Sequence, residues 1–175
     1  GRYHMTTPPD LLQAIFDLSE LPELSPRYNI APTQAVPVVR STAAGPLLSS
    51  LRWGLVPHYW QSLDDGPLLI NARAETVREK PSFAPAFAQR RCLIPADGFY
   101  EWQTQGGSKK PYRFTLASHQ CFAMAGIWEC WTAPSGASVE SCAIITVEAN
   151  EVVAPIHRRM PAILPLDAYS PWLAE

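Results

Sequence analysis

The apolar and polar positions of this chain change period often, so short elements are expected in place of long ones. "TPPDLLQAIFDL" reads as a first helix. Leu11, Leu12, Ile15 and Phe16 form its apolar stripe, Thr7 stands at the cap, and the prolines fall where N–H groups lack helical partners. "AVPVVRS" and "LLSSLRWGLVP" read as strands. "INARAET" then leads into short helical pieces around residues 74–80 and 83–89. "RCLIPA" and "GFYEWQ" are strand-like, and the Gly pair of "TQGGSKK" marks a turn. "PYRFTLA", "CFAMAGIWEC" and "VESCAIITVE" are further strands, rich in β-branched and aromatic residues. "NEVVAPI" is expected to make one or two helical turns, and "LDAYSPWL" a short last helix. Strands dominate and helices interrupt them, which predicts an α+β fold with a curled sheet or barrel.

Composition sharpens this picture. A chain of 175 residues with 47% hydrophobic and 17% charged residues is expected to bury one core as a single domain over residues 1–175. Its 18 prolines are spread along the chain, which excludes long helices and favours fixed turns. No apolar run approaches a membrane span and no signal segment opens the chain, so a cytoplasmic location without membrane contact is expected. Cys92, Cys121, Cys130 and Cys142 show neither C-x-x-C nor zinc-finger spacing. Reduced, mostly buried thiols are expected, with no metal and no cofactor. The net charge of −2 does not advertise nucleic-acid binding. Yet 11 Arg stand against 3 Lys, and Arg both forks onto phosphate and stacks on bases.

Four segments place polar residues in apolar settings. In "GFYEW", alternation puts Phe99 and Glu101 on one face and Tyr100 and Trp102 on the other. A carboxylate among aromatics suits general acid–base work; a Glu at a sheet edge facing water fits the same pattern. In "PIHRRMP", His157 can move protons near neutral pH, or can serve only as a cap beside solvated Arg158 and Arg159. In "LLINARAET", Asn71 and Arg73 share a face; holding a turn and orienting a substrate are both open to the Asn. "RWGLVPHYW" sets Trp53, Tyr59 and Trp60 near Arg52, which suits either stacked bases or an ordinary core. There is no Gly-rich phosphate loop, G-x-S-x-G elbow or H-E-x-x-H motif.

Six stretches together are more specific. "GRY", "PRYNIAPTQ", "RWGLVP", "INARAET", "CLIPADGFYEW" and "IHRRMP" run in this order from Gly1 to about Pro165. In this the chain resembles the SOS-response-associated peptidase (SRAP) family, the abasic-site DNA–protein crosslinking proteins. The resemblance implies a single α+β domain around a barrel-like, mostly antiparallel β core with short peripheral helices. The family pattern begins Met-Cys-Gly-Arg-aromatic, so Gly1 and Arg2 match its third and fourth residues. "GRY" then reads as native sequence, with the family's nucleophilic Cys ahead of Gly1. Beyond "SPWLAE" the family usually continues through a further segment with a final strand.

What the resemblance implies for chemistry follows. An abasic site opens to an aldehyde. An α-amine with pKa near 8 can condense with it, and a thiol on the same residue closes a thiazolidine. Glu101 and His157 would handle protons, and Asn71 would hold the terminal residue or the sugar. Arg2, Arg73 and Arg159 would bind phosphates, and Trp60 would support splayed bases. Gly1, Asn29, Pro32 and Thr146 would border the same cleft. The partner implied is single-stranded DNA carrying abasic sites, bound by a monomer. Two rival functions share these residues: a cysteine-type peptidase acting on its own initiator Met or on other proteins, and a noncovalent single-strand binder.

Overall fold

The structure is a computed structural model that describes residues 1–174. In chain order its first half holds β1 (Arg2–Met5), α1 (Pro9–Phe16), β2 (Arg27–Ile30), β3 (Ala35–Thr42), β4 (Gly45–Trp53), β5 (Asn71–Arg73) and α2 (Ala84–Gln89). There follow β6 (Arg91–Ala96), β7 (Gly98–Gln105), β8 (Ser108–Phe114), β9 (Phe122–Thr132), β10 (Ser138–Glu148), β11 (Arg159–Pro161) and β12 (Ile163–Leu164). A 3-10 turn (Leu166–Ala168) then runs into α3 (Tyr169–Leu173).

Strands β10, β4, β3, β6 and β9 are neighbours in that order, and β9 pairs back onto β10. The sheet therefore closes into a five-stranded barrel, which removes its free edges. Closure is antiparallel except where β10 meets β4 and β5 in parallel. The unbroken apolar run "CAII" in β10 follows from burial on both faces. Cys142 and Ile144 enter the main core with Leu51, Trp53 and Ile94, while Ala143 and Ile145 enter a second core with Val77, Phe83 and Ile127. Pro37 lies inside β3 opposite Ser50 of β4, two residues before the Val39–Leu93 register with β6.

A second sheet lies across the barrel in the order β2, β1, β7, β8. Its register sets Arg2 opposite Tyr100, Tyr3 opposite Phe99 and His4 opposite Gly98. One step further along that ladder brings Gly1 beside Glu101.

Three local expectations change. Thr7 does not cap α1; Pro8 occupies that position without a side-chain bond. A stronger acceptor takes the Thr7 hydroxyl, the nearly buried carboxylate of Asp97, which also accepts the N–H of Thr6 and of Thr7. Leu11 is half exposed, so the stripe of α1 narrows to Leu12 and Phe16 with Ile15 beside them. Residues 74–80 form hydrogen-bonded turns and not a helix, because "AETVREK" is pinned to β10 by the Ala74 N–H on the Thr146 carbonyl. The cysteines are free but not uniformly hidden: Cys92 and Cys142 are buried, Cys121 is half-buried and Cys130 is exposed. Among the described residues, no helix is long and apolar enough to cross a membrane.

Candidate active site

The site forms where the second sheet meets the open end of the barrel. β7 carries Glu101 there. Its alternation buries Phe99 against Phe114 and turns Glu101, two residues on, toward a small cavity of about 60 Å³. His157 arrives from a loop with its own local logic. The Asn150 side chain accepts the N–H groups of Val152 and Val153, starting a tight turn that the Ile156 and His157 N–H groups close on the Val153 carbonyl. Gln103, on the same face of β7 as Glu101, donates to the Pro155 carbonyl at 3.0 Å and ties that turn to the strand.

Glu101 Oε2 and His157 Nε2 end 3.7 Å apart. Burial pushes the Glu101 carboxyl above its ordinary value, and the neighbouring His157 opposes this in part. The far nitrogen of His157, Nδ1, meets both backbone groups of Arg159. It either accepts the N–H at 3.1 Å or donates to the carbonyl at 2.9 Å. The imidazole is thus held in place in either proton state. Such a carboxylate–imidazole pair can give and take a proton at an atom beside them.

The cavity brings together Gly1, Arg2, Asn71, Glu101, Thr146, His157 and Arg159 from seven separate positions in the sequence reading. Tyr3, Trp53, Tyr100 and Met160 complete its wall. Gly1 lies against the Trp53 ring; a Cβ there would stand 3.2 Å from it, and Trp53 is itself fixed by its Nε1 donating to the Ile70 carbonyl at 3.1 Å. Asn71 sits at the mouth and is exposed. Arg159 donates to the Thr146 carbonyl and hydroxyl and forks onto Glu75.

Four expected site residues stand outside the cavity. Asn29 is on its rim, accepting from Arg2 Nη1 at 3.3 Å. Pro32 lies in the turn before β3, whose next residue, Thr33, takes a left-handed φ of 72° and donates its N–H to the Trp53 carbonyl. Trp60 lies further off, where its ring covers Gly66 and its carbonyl accepts from Trp131. Arg73 is exposed on β5, two residues along from Asn71. The residues missed from sequence are Tyr3, Asp97 and Glu75. Nothing local marks Asp97, and only the tertiary approach of Thr6 and Thr7 reveals what it holds.

Comparison with known proteins adds to this geometry. The family model described as SOS response associated peptidase (SRAP) matches residues 1–175. The abasic site processing protein YoaM of Bacillus subtilis (strain 168) is 40% identical over 177 residues, covering 99% of this chain and 78% of that protein. The abasic site processing protein HMCES of Gallus gallus is 35% identical over 180 residues, covering 85% of this chain and 54% of its own length. A crystal structure of a protein from Bacteroides thetaiotaomicron superposes with a TM-score of 0.89 at 28% identity, over 99% of this chain and 80% of that one. The fold, the ordered motifs and these relatives agree: the chain belongs to the SRAP family.

Proposed function

We propose that this protein processes abasic sites in DNA, using the Glu101–His157 pair to move protons at the lesion aldehyde. The observation that carries the reading is the 3.7 Å approach of these groups in a cavity that also admits the start of β1. Relatives named as abasic site processing proteins support it.

The chemistry runs through the residue that the family pattern sets ahead of Gly1, a Cys with a free α-amine. Its nitrogen attacks C1′ of the ring-opened sugar, and the carbonyl oxygen leaves as water after two protonations. The thiol sulfur then adds to the imine carbon while its proton passes to nitrogen, closing a thiazolidine. His157 is suited to supply protons and Glu101 to receive them, and Asn71 offers an amide to the sugar or the terminal residue. Arg2, Arg73 and Arg159 provide charge for phosphates of a single strand, and the exposed Tyr59 beside Trp60 offers a surface for bases. The same pair would serve removal of an initiator Met by that Cys, the reading that the family's peptidase name favours. The DNA reading is tested by intact mass after mixing Cys-initiated protein with single-stranded abasic DNA. A covalent adduct at the summed mass less one water is expected; no mass change would sink it.

A further inference from the structure

Arg159 reaches the cavity already engaged. Its Nη1 donates to Glu75 Oε1 at 3.1 Å and its Nη2 to Glu75 Oε2 at 2.8 Å, a two-point fork of the kind a phosphodiester also makes with arginine. The guanidinium does not depend on Glu75 for its place. Nη2 also donates to the Thr146 carbonyl at 2.8 Å and the Thr146 hydroxyl at 3.3 Å, on a strand register that pairs Thr146 with Pro161. The side chain of Arg159 is 17% exposed, whereas that of Glu75 is 54% exposed. One partner is anchored and the other is free to swing away. The Arg159 hydrogen bond holds the Glu75 carboxyl below its ordinary range, and the charge of Arg73, two residues before it, adds a smaller pull in the same direction. An ion pair with so exposed a carboxylate is weak in water, so a phosphate held by other contacts can replace it.

We propose that Glu75 is an internal competitor for a DNA phosphate: it occupies the outward fork of Arg159 until a phosphodiester displaces it. This rests on the reading that Arg159 meets DNA. The consequence is selectivity. A polyanion with no further contacts to the cleft must displace Glu75 with nothing else to offset the exchange, so weak, unspecific binding is suppressed. DNA seated by its lesion brings the phosphate to Arg159 at high local concentration, and the exchange then proceeds.

The test is anisotropy of a labelled, lesion-free single-stranded oligonucleotide across a salt series, which keeps binding apart from chemistry. Glu75→Gln keeps size and removes the competing charge. Glu23→Gln, at an exposed position that does not line the cavity, controls for net charge. Glu75→Gln is expected to bind about three- to ten-fold tighter than Glu23→Gln at low salt, with a slope of log affinity against log salt steeper by about 0.7. Arg159→Ala is expected to weaken binding and to erase the gain in the double variant. If Glu75→Gln binds no tighter than Glu23→Gln while Arg159→Ala still weakens binding, Glu75 is not a competitor and the proposal falls alone. If Arg159→Ala binds as the parent does, the phosphate assignment of Arg159 falls, and the proposal with it.

Discussion

Glu101 Oε2 stands 3.7 Å from His157 Nε2, although the two residues are 56 positions apart and lie on elements that do not pair with each other. That distance suits an ion pair better than a hydrogen bond. A reacting atom or a water beside the pair can still reach both groups at hydrogen-bond distance. Gln103 sets the spacing by holding the His157 turn to β7, two residues along from Glu101.

Glu101→Gln keeps the shape and a hydrogen-bonding end but cannot accept a proton as a carboxylate does. Adduct formation is expected to slow by about 10²–10⁴-fold, with DNA affinity changed by less than about two-fold. Single-turnover rates and anisotropy on the same preparations separate the two. Parallel loss of affinity and rate would mark Glu101 as structural.

The raised Glu101 pKa also predicts a pH dependence of stability. Between the ordinary value of 4.5 and the higher folded value, the folded state binds more protons at this group than the unfolded state. Stability therefore falls as pH rises through that window, and the contribution is fully present only below it. Glu101→Gln should flatten this part of the profile and be more stable than the parent above the window. Urea denaturation at several pH values between about 4 and 8 reads the difference. A parent profile that rises where the variant is flat would reverse the sign and refute the burial argument.

Most of the long strands could be read from sequence because they carry a local signal: β-branched or aromatic residues in β3, β9 and β10, leucines and a tryptophan in β4, and, in the second sheet, a Gly pair between β7 and β8. β1 and β2 carry none. "RYHM" and "RYNI" are four residues each, and only their pairing with β7 and with each other makes them strands. The site divides in the same way. Glu101 and His157 stood out as polar residues in apolar settings, but both also fitted a solvent-facing role until the Gln103 contact brought them together. Thr7 was misread because capping rules weigh only the local N–H groups that its hydroxyl could accept, whereas that hydroxyl donates to Asp97, 90 positions away. Glu75 sat in a segment that resembled a helix, where a solvated carboxylate raises no question.

The internal thiols should differ sharply in reactivity. Burial pushes the Cys121 and Cys142 thiols up to about 12 and Cys92 well above its ordinary value, so almost no thiolate forms at neutral pH. Cys130 alone among these four is exposed. Among these four, iodoacetamide at pH 7.5 is expected to label only Cys130 in the native protein, and the other three only after unfolding. Cys130→Ser should leave adduct formation unchanged. Loss of the adduct in that variant would move the nucleophile from the chain's start to Cys130.

Gly98 tests how the fold positions the start of the chain. It pairs with His4 across β1 and β7, and a Cβ there would stand 2.3 Å from His4 Nε2 and 2.7 Å from the Phe114 carbonyl oxygen. The carbonyl belongs to β8 backbone and cannot turn aside. The His4 ring is nearly buried, which lowers its pKa, and packs 5.6 Å from the Tyr100 ring, so it has little room to move. Gly98→Ala must therefore push β1 away from β7. Overpacking of this kind costs about 1–3 kcal/mol, which denaturant unfolding will register. The displacement also travels along the ladder, from His4–Gly98 through Tyr3–Phe99 and Arg2–Tyr100 to Gly1 and Glu101. A shift of about 1 Å in a reacting group can cost 10²-fold in rate. Gly98→Ala is therefore expected to slow adduct formation by about 10-fold or more under conditions where the variant is still folded. Asp97→Asn weakens the neighbouring anchor to Thr6 and Thr7 without adding bulk to the ladder, and should destabilise the fold with a smaller effect on rate. A Gly98→Ala variant that is destabilised yet reacts at the parent rate would show that the β1–β7 register does not govern where the terminal residue meets Glu101.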